Sequence, residues 1–112
     1  MADNMDKDTK AKISRLQILE QRTQALLMQK HSFQSQALEI ENALGEIEDS
    51  KETYKIVGTV MVSVEKEQLK KDLTEKKEIT DLKIKNLEKE EKKLRLESGE
   101  IQKEIMGLLK DE

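Results

Sequence analysis

Along the first half of the chain, apolar side chains return at alternating intervals of three and four residues. Leu16, Leu19, Thr23, Leu26, Lys30, Phe33, Ala37, Ile40, Leu44 and Ile47 hold one heptad register without a slip. That spacing keeps them on one stripe of a helix, so the pattern predicts a helix over about 9–47 with a coiled-coil seam. Residues 1–12 are polar with mixed charge and read as a frayed start. The stretch Glu46 to Thr53 dissolves the pattern and reads as a polar linker. A second, patchier heptad stripe follows through Leu73, Lys77, Thr80, Ile84, Leu87, Glu91, Leu94, Ser98, Ile101, Ile105 and Leu108. It predicts a second helix over about 65–110.

Between the two stripes the pattern breaks. Tyr54 to Val64 (YKIVGTVMVSV) is rich in β-branched residues, and only Lys55 is charged. Gly58-Thr59 supplies the turn signal, because glycine tolerates the positive φ that a tight reversal needs. A β-hairpin over about 54–64 is expected, with Tyr54, Ile56, Val60, Val62 and Val64 on one face and Val57 and Met61 on the other. A reversal there makes the helices antiparallel, setting Leu44 near Leu73, Phe33 near Ile84 and Leu16 near Ile101. At ~1.5 Å per residue the helices then form an arm roughly 50–65 Å long. The whole of 1–112 reads as a single, mostly α domain.

A lone two-stranded hairpin is marginal in water, and its open edges invite other strands. Both faces of this one are apolar. Two outcomes are open: the strands pack back onto the helix ends, or hairpins of several subunits share a sheet or barrel. The second covers the edges as well as the faces. The polar seam residues Lys30, Thr80, Glu91 and Ser98 weaken the coil while discouraging wrong registers. Ile105, Met106, Leu108 and Leu109 fall opposite residues 7–12, where only Ala11 is apolar. This cluster either closes the end of the coil or binds something, since exposed apolar clusters often mark binding sites.

Composition narrows the function classes. Charged residues make up 40% of the 112 residues, aromatics 2%, and proline and cysteine are absent. A conventional globular core is excluded, and disulfide or thiol chemistry with it. The net charge of −3 argues against nucleic acid as a partner. No long apolar run suggests a membrane, so a cytoplasmic location is expected. His31 stands alone on an outward heptad position, and no phosphate-binding loop or dinucleotide motif is present. No catalytic residue, metal ligand or cofactor is expected; the chain reads as a binding protein, not an enzyme.

Tyr54-Lys55-Ile56-Val57-Gly58-Thr59-Val60-Met61-Val62 resembles the Tyr-Lys-x-Val-Gly-x-x-x-Val signature of prefoldin β-class subunits. The flanking heptad helices and the single hairpin extend the resemblance over nearly the whole chain. It implies an ATP-independent chaperone of two α-class and four β-class subunits, built on β-barrels of shared hairpins with projecting coiled-coil arms. The arm tips of that family hold unfolded polypeptide clients and pass them to a group II chaperonin. Carried over, the assembly element is Tyr54, Ile56, Val57, Gly58, Val60, Met61, Val62 and Val64. The client-binding tip is Met1, Met5, Ile13 and Leu16 with Ile105, Met106, Leu108 and Leu109. Residues 1–12 are more charged than such a tip, which shifts weight to the C-terminal cluster. The alternative is a coiled-coil scaffold or tether with inert tips.

Overall fold

A computed structural model describes residues 6–110. The order is helix α1 (Lys7–Glu48), strand β1 (Thr53–Val57), strand β2 (Val60–Val64) and helix α2 (Lys66–Lys110). Contacts divide the chain into a terminal unit, residues 1–30 with 86–112, and a hairpin unit, residues 31–85.

In the terminal unit, α1 starts earlier than its apolar stripe because Asp6 caps it. The Thr9 amide donates to the Asp6 carboxylate at 2.7 Å, and the Lys10 amide donates to the Asp6 carbonyl at 3.2 Å. A short acidic side chain that accepts from the first free amides is a favoured helix start. With the turn secured, the seam runs on past Leu16 through half-buried Lys12 to buried Thr9. Leu19 is fully buried, and Leu94 and Ile105 nearly so. Lys12 meets Glu104 at 3.2 Å, Arg15 meets Glu97 at 2.9 Å and Lys30 meets Glu91 at 3.1 Å. Early α1 thus pairs with late α2, so the two helices of this unit run antiparallel.

The seam positions of both stripes are all buried or half-buried. Taking Leu16 as position a, the ion pair Arg15–Glu97 joins two g positions, which flank the seam on one side. The e positions, including Ile13, Glu20, Gln102 and Leu109, flank it on the other.

In the hairpin unit, Ile40, Ile47 and Thr80 form the buried seam. Thr80 satisfies its hydroxyl by donating to the Lys76 carbonyl at 2.8 Å, within its own helix. The Lys83 ammonium sits 5.3 Å from the centre of the Phe33 ring. α1 runs to Glu48, so the polar linker shrinks to residues 49–52. The end of α1 lacks a basic residue of its own. Lys66 supplies that charge from α2, donating to the Glu48 carbonyl at 2.9 Å, where a cation suits the helix C-terminus. Lys70 pairs with the Glu48 carboxylate. This bond holds the Glu48 carboxyl below its ordinary range and raises the Lys70 ammonium.

β1 and β2 pair antiparallel, with Thr53 opposite Val64, Tyr54 opposite Ser63, Lys55 opposite Val62, Ile56 opposite Met61 and Val57 opposite Val60. Gly58 has φ 63°, and Thr59 stays at negative φ. A glycine in the left-handed region at the first of two turn residues is the II′ pattern, whose twist matches the strands. Directly opposed residues share a face. One face therefore carries Tyr54, Ile56, Met61 and Ser63, and the other Thr53, Lys55, Val57, Val60, Val62 and Val64. This corrects the expected division, which put Tyr54 and Ile56 with the β2 valines and Val57 with Met61. A two-residue loop pairs even-numbered residues of β1 with odd-numbered residues of β2, so position parity flips across the turn.

Candidate functional site

Two regions expose apolar side chains at positions the sequence marked. The first is the hairpin. Ile56 is 70% exposed, Met61 65% and Val60 59%, and Tyr54, Val57 and Val62 are exposed as well. Only its base is covered: Thr53 is buried and Val64 half-buried, tied by a 2.8 Å bond from the Thr53 hydroxyl to the Val64 carbonyl. The Tyr54 hydroxyl donates to the Glu52 carboxylate at 2.6 Å, which raises the phenol above its ordinary value and orients the ring. Among the described residues no third strand pairs with β1 or β2. Apolar surface on two faces and open edges therefore coincide on ten strand residues.

The second region is the end of the terminal unit, where the structure splits the expected cluster. Met106 is 64% exposed and Leu109 is exposed too. Leu16 and Leu108 are half-buried in the seam, and Ile13 is half-buried on its flank. Ile105 is buried, because the cap at Asp6 brings Thr9 into the seam and extends the cover past Leu16. It packs as core and not as surface. Met1 and Met5 lie outside the described residues.

Polar contacts frame this end. The Lys12 ammonium is held above its ordinary value, chiefly by its bond to Glu104, with Asp8 a further partner at 3.4 Å. The Asp6 carboxyl is held below its ordinary value by the Thr9 amide. Farther along the seam, Glu91 is buried and takes Lys30 on one oxygen and Arg95, at 2.6 Å, on the other. Sequence reading marked Lys30 and Glu91 as separate interruptions. Their pairing across the seam becomes visible only once the helices are placed, because the two fall one layer apart and not in the same layer.

His31 is exposed, and among the described residues no group of His, Cys, Asp or Glu is arranged to hold a metal ion. Among the same residues, no helix is long and apolar enough to cross a membrane.

The sequence model of the family described as Prefoldin subunit matches residues 10–112. The chain is 37% identical over 100 residues to a prefoldin subunit beta of Archaeoglobus fulgidus, covering 87% of this chain and 86% of the relative. It is 31% identical over 113 residues to a prefoldin subunit beta of Caldivirga maquilingensis, with 97% and 93% covered. The crystal structure of the prefoldin beta subunit from Thermococcus strain KS-1 superposes with a TM-score of 0.88 at 31% identity, covering 95% of this chain and 96% of that one. Two long helices around one antiparallel hairpin, the nonapeptide from Tyr54 and full-length similarity agree: the chain belongs to the prefoldin family, in its β class, a family of non-enzymatic chaperone subunits that work in hetero-oligomers.

Proposed function

We propose that this chain is a subunit of an ATP-independent chaperone, in which it assembles through its hairpin and takes hold of unfolded polypeptide with the end of its terminal unit. The observation that carries the reading is the exposed hairpin, apolar on both faces and open at both edges in the single chain. Hairpins of other prefoldin subunits, two α-class with four copies of this chain, complete it as a shared β-barrel body. Residues 54–64 are then the assembly element. Ile13, Leu16, Met106, Leu108 and Leu109 are the client-contacting residues, with Ile105 supporting them from the seam. Weak apolar contacts on several tips add through effective concentration, so a client is held without one tight site and released without nucleotide. The recipient of the released client is a group II chaperonin, and the working compartment is the cytosol.

The test is the aggregation of a chemically unfolded enzyme diluted into the assembled complex without ATP, followed by light scattering. The complex suppresses aggregation, and a variant lacking residues 105–112 assembles normally but loses the suppression. Unchanged suppression by the shortened chain would sink the client-binding assignment and leave a coiled-coil tether.

A further inference from the structure

One side chain on the hairpin does not fit the apolar surface around it. Lys55 is the only charged residue in either strand. It stands opposite Val62, on the face that also carries Thr53, Val57, Val60 and Val64. Directly opposed residues sit about 5 Å apart between Cβ atoms and diagonal ones about 7–8 Å. Val60, Val62 and Val64 therefore border Lys55 on the β2 side, while the outer edge of β1 is open.

Lys55, Val57, Val60 and Val62 are all exposed in the single chain. At the foot of the hairpin, Lys66 donates to the Glu48 carbonyl and Lys70 pairs with the Glu48 carboxylate. Lys55 enters no ion pair among the described residues. Glu52 is the nearest acidic residue in sequence, and its carboxylate accepts from the Tyr54 hydroxyl. In the uncovered hairpin the Lys55 ammonium stays in water. A strand laid beside β1, with side chains over the valines, closes the route by which the stem leads its charge outward. An ammonium enclosed among valines without a carboxylate is strongly unfavourable, so whatever covers this face must bring one.

A second copy of this hairpin cannot. Neither strand holds Asp or Glu, so no alignment of identical strands sets an acid opposite Lys55. Antiparallel pairing of β1 with β1 of another copy, centred on Lys55, sets two ammoniums opposite each other, which is destabilising. Lysine in an edge strand is a general guard against such edge-to-edge pairing.

We propose that Lys55 decides which hairpin this one accepts beside β1: it turns away identical copies and selects an α-class hairpin that carries Asp or Glu opposite it. The proposal rests on the reading of residues 54–64 as the assembly element, and it names the chemistry of the neighbour.

The test is native mass over a concentration series, for this chain alone and with an α-class prefoldin subunit. The unaltered chain is compared with Lys55→Met and Lys55→Glu. Lys51→Glu is the control, since it makes the same charge change on the exposed linker before the strand. None of these positions belongs to the helix seam, and circular dichroism checks that helix content is unchanged. Lys55→Met is expected to weaken joining to the α-class subunit at least about tenfold, because the partner's carboxylate is left enclosed without its ammonium. Alone, it is expected to self-associate where the unaltered chain stays monomeric. Lys55→Glu sets two carboxylates face to face and is expected not to join, whereas Lys51→Glu stays within about twofold of the unaltered chain.

Equal joining by the unaltered and Lys55→Met chains would overturn the proposal. So would equal self-association of those two chains, or a loss at Lys51→Glu as large as at Lys55→Glu. If the unaltered chain joins no α-class subunit, the assembly reading falls and this proposal with it. If it joins and Lys55→Met joins equally, only the Lys55 assignment falls.

Discussion

At the scale of single residues, polar side chains set the details that the apolar stripe leaves open. Glu91 is buried with Lys30 and Arg95 on its two oxygens. Glu91→Ala strands Lys30 beside the seam and is expected to destabilise the helix pair by about 1–3 kcal/mol. Lys30→Leu with Glu91→Leu is expected to restore or exceed the original stability, because a packed apolar pair avoids the desolvation of both charges. Thermal unfolding of the three proteins reads the difference. Asp6 gives a pH signature. Its folded-state pKa is depressed by the Thr9 amide, so its contribution to the helix start is present above the ordinary value of 3.8. It is lost as pH falls through the lower folded value. Protection of the Thr9 amide, measured against its intrinsic exchange rate, should fall only in that acid window, and Asp6→Ala should lack that protection at neutral pH as well. Neither the cap nor the ion triad was legible in the heptads. Asp6 precedes the apolar stripe, and Lys30 and Glu91 are far apart in sequence, meeting only after two helices have packed.

Elements carry a different kind of information. The stripe Leu16–Ile47 and the stripe Leu73–Leu108 are buried or half-buried at every position, since a heptad read from sequence is already a statement about one face of a helix. The hairpin's place and turn follow from Gly58 and its β-branched neighbours. Its faces do not, because they hinge on whether the loop holds two residues or three, which composition leaves undecided. Gly58 sits at φ 63°, so Gly58→Ala is expected to cost roughly 1 kcal/mol and to loosen β1 and β2 amide protection. Gly58→Asn should restore most of that protection, since asparagine tolerates the left-handed region. In α2 the effect of glycine reverses. Gly99 has helical φ and open space around it, so Gly99→Ala should raise stability by up to ~1 kcal/mol.

For the whole molecule, the hairpin is the part that a single chain leaves unfinished. Its side chains above the base are exposed on both faces. Under the proposed function, hairpins of other subunits cover that surface without asking the helices to change. A lysine at Ile56 or Met61 tests this at one face, and a lysine at Val57 or Val60 at the other. Each should block assembly while helix content stays the same, since none of the four supports the helix seam. The residues proposed to contact the client form one apolar cluster in the sequence, but burial divides that cluster. Ile105 goes to the core and Met106 and Leu109 to the surface, because neighbours on one helix point in different directions.

The most direct test of the central claim is the native mass of this chain mixed with an α-class prefoldin subunit. The expected result is one species with two α-class chains and four copies of this one, lost on Ile56→Lys. A chain that remains a stable monomer in the mixture would contradict it.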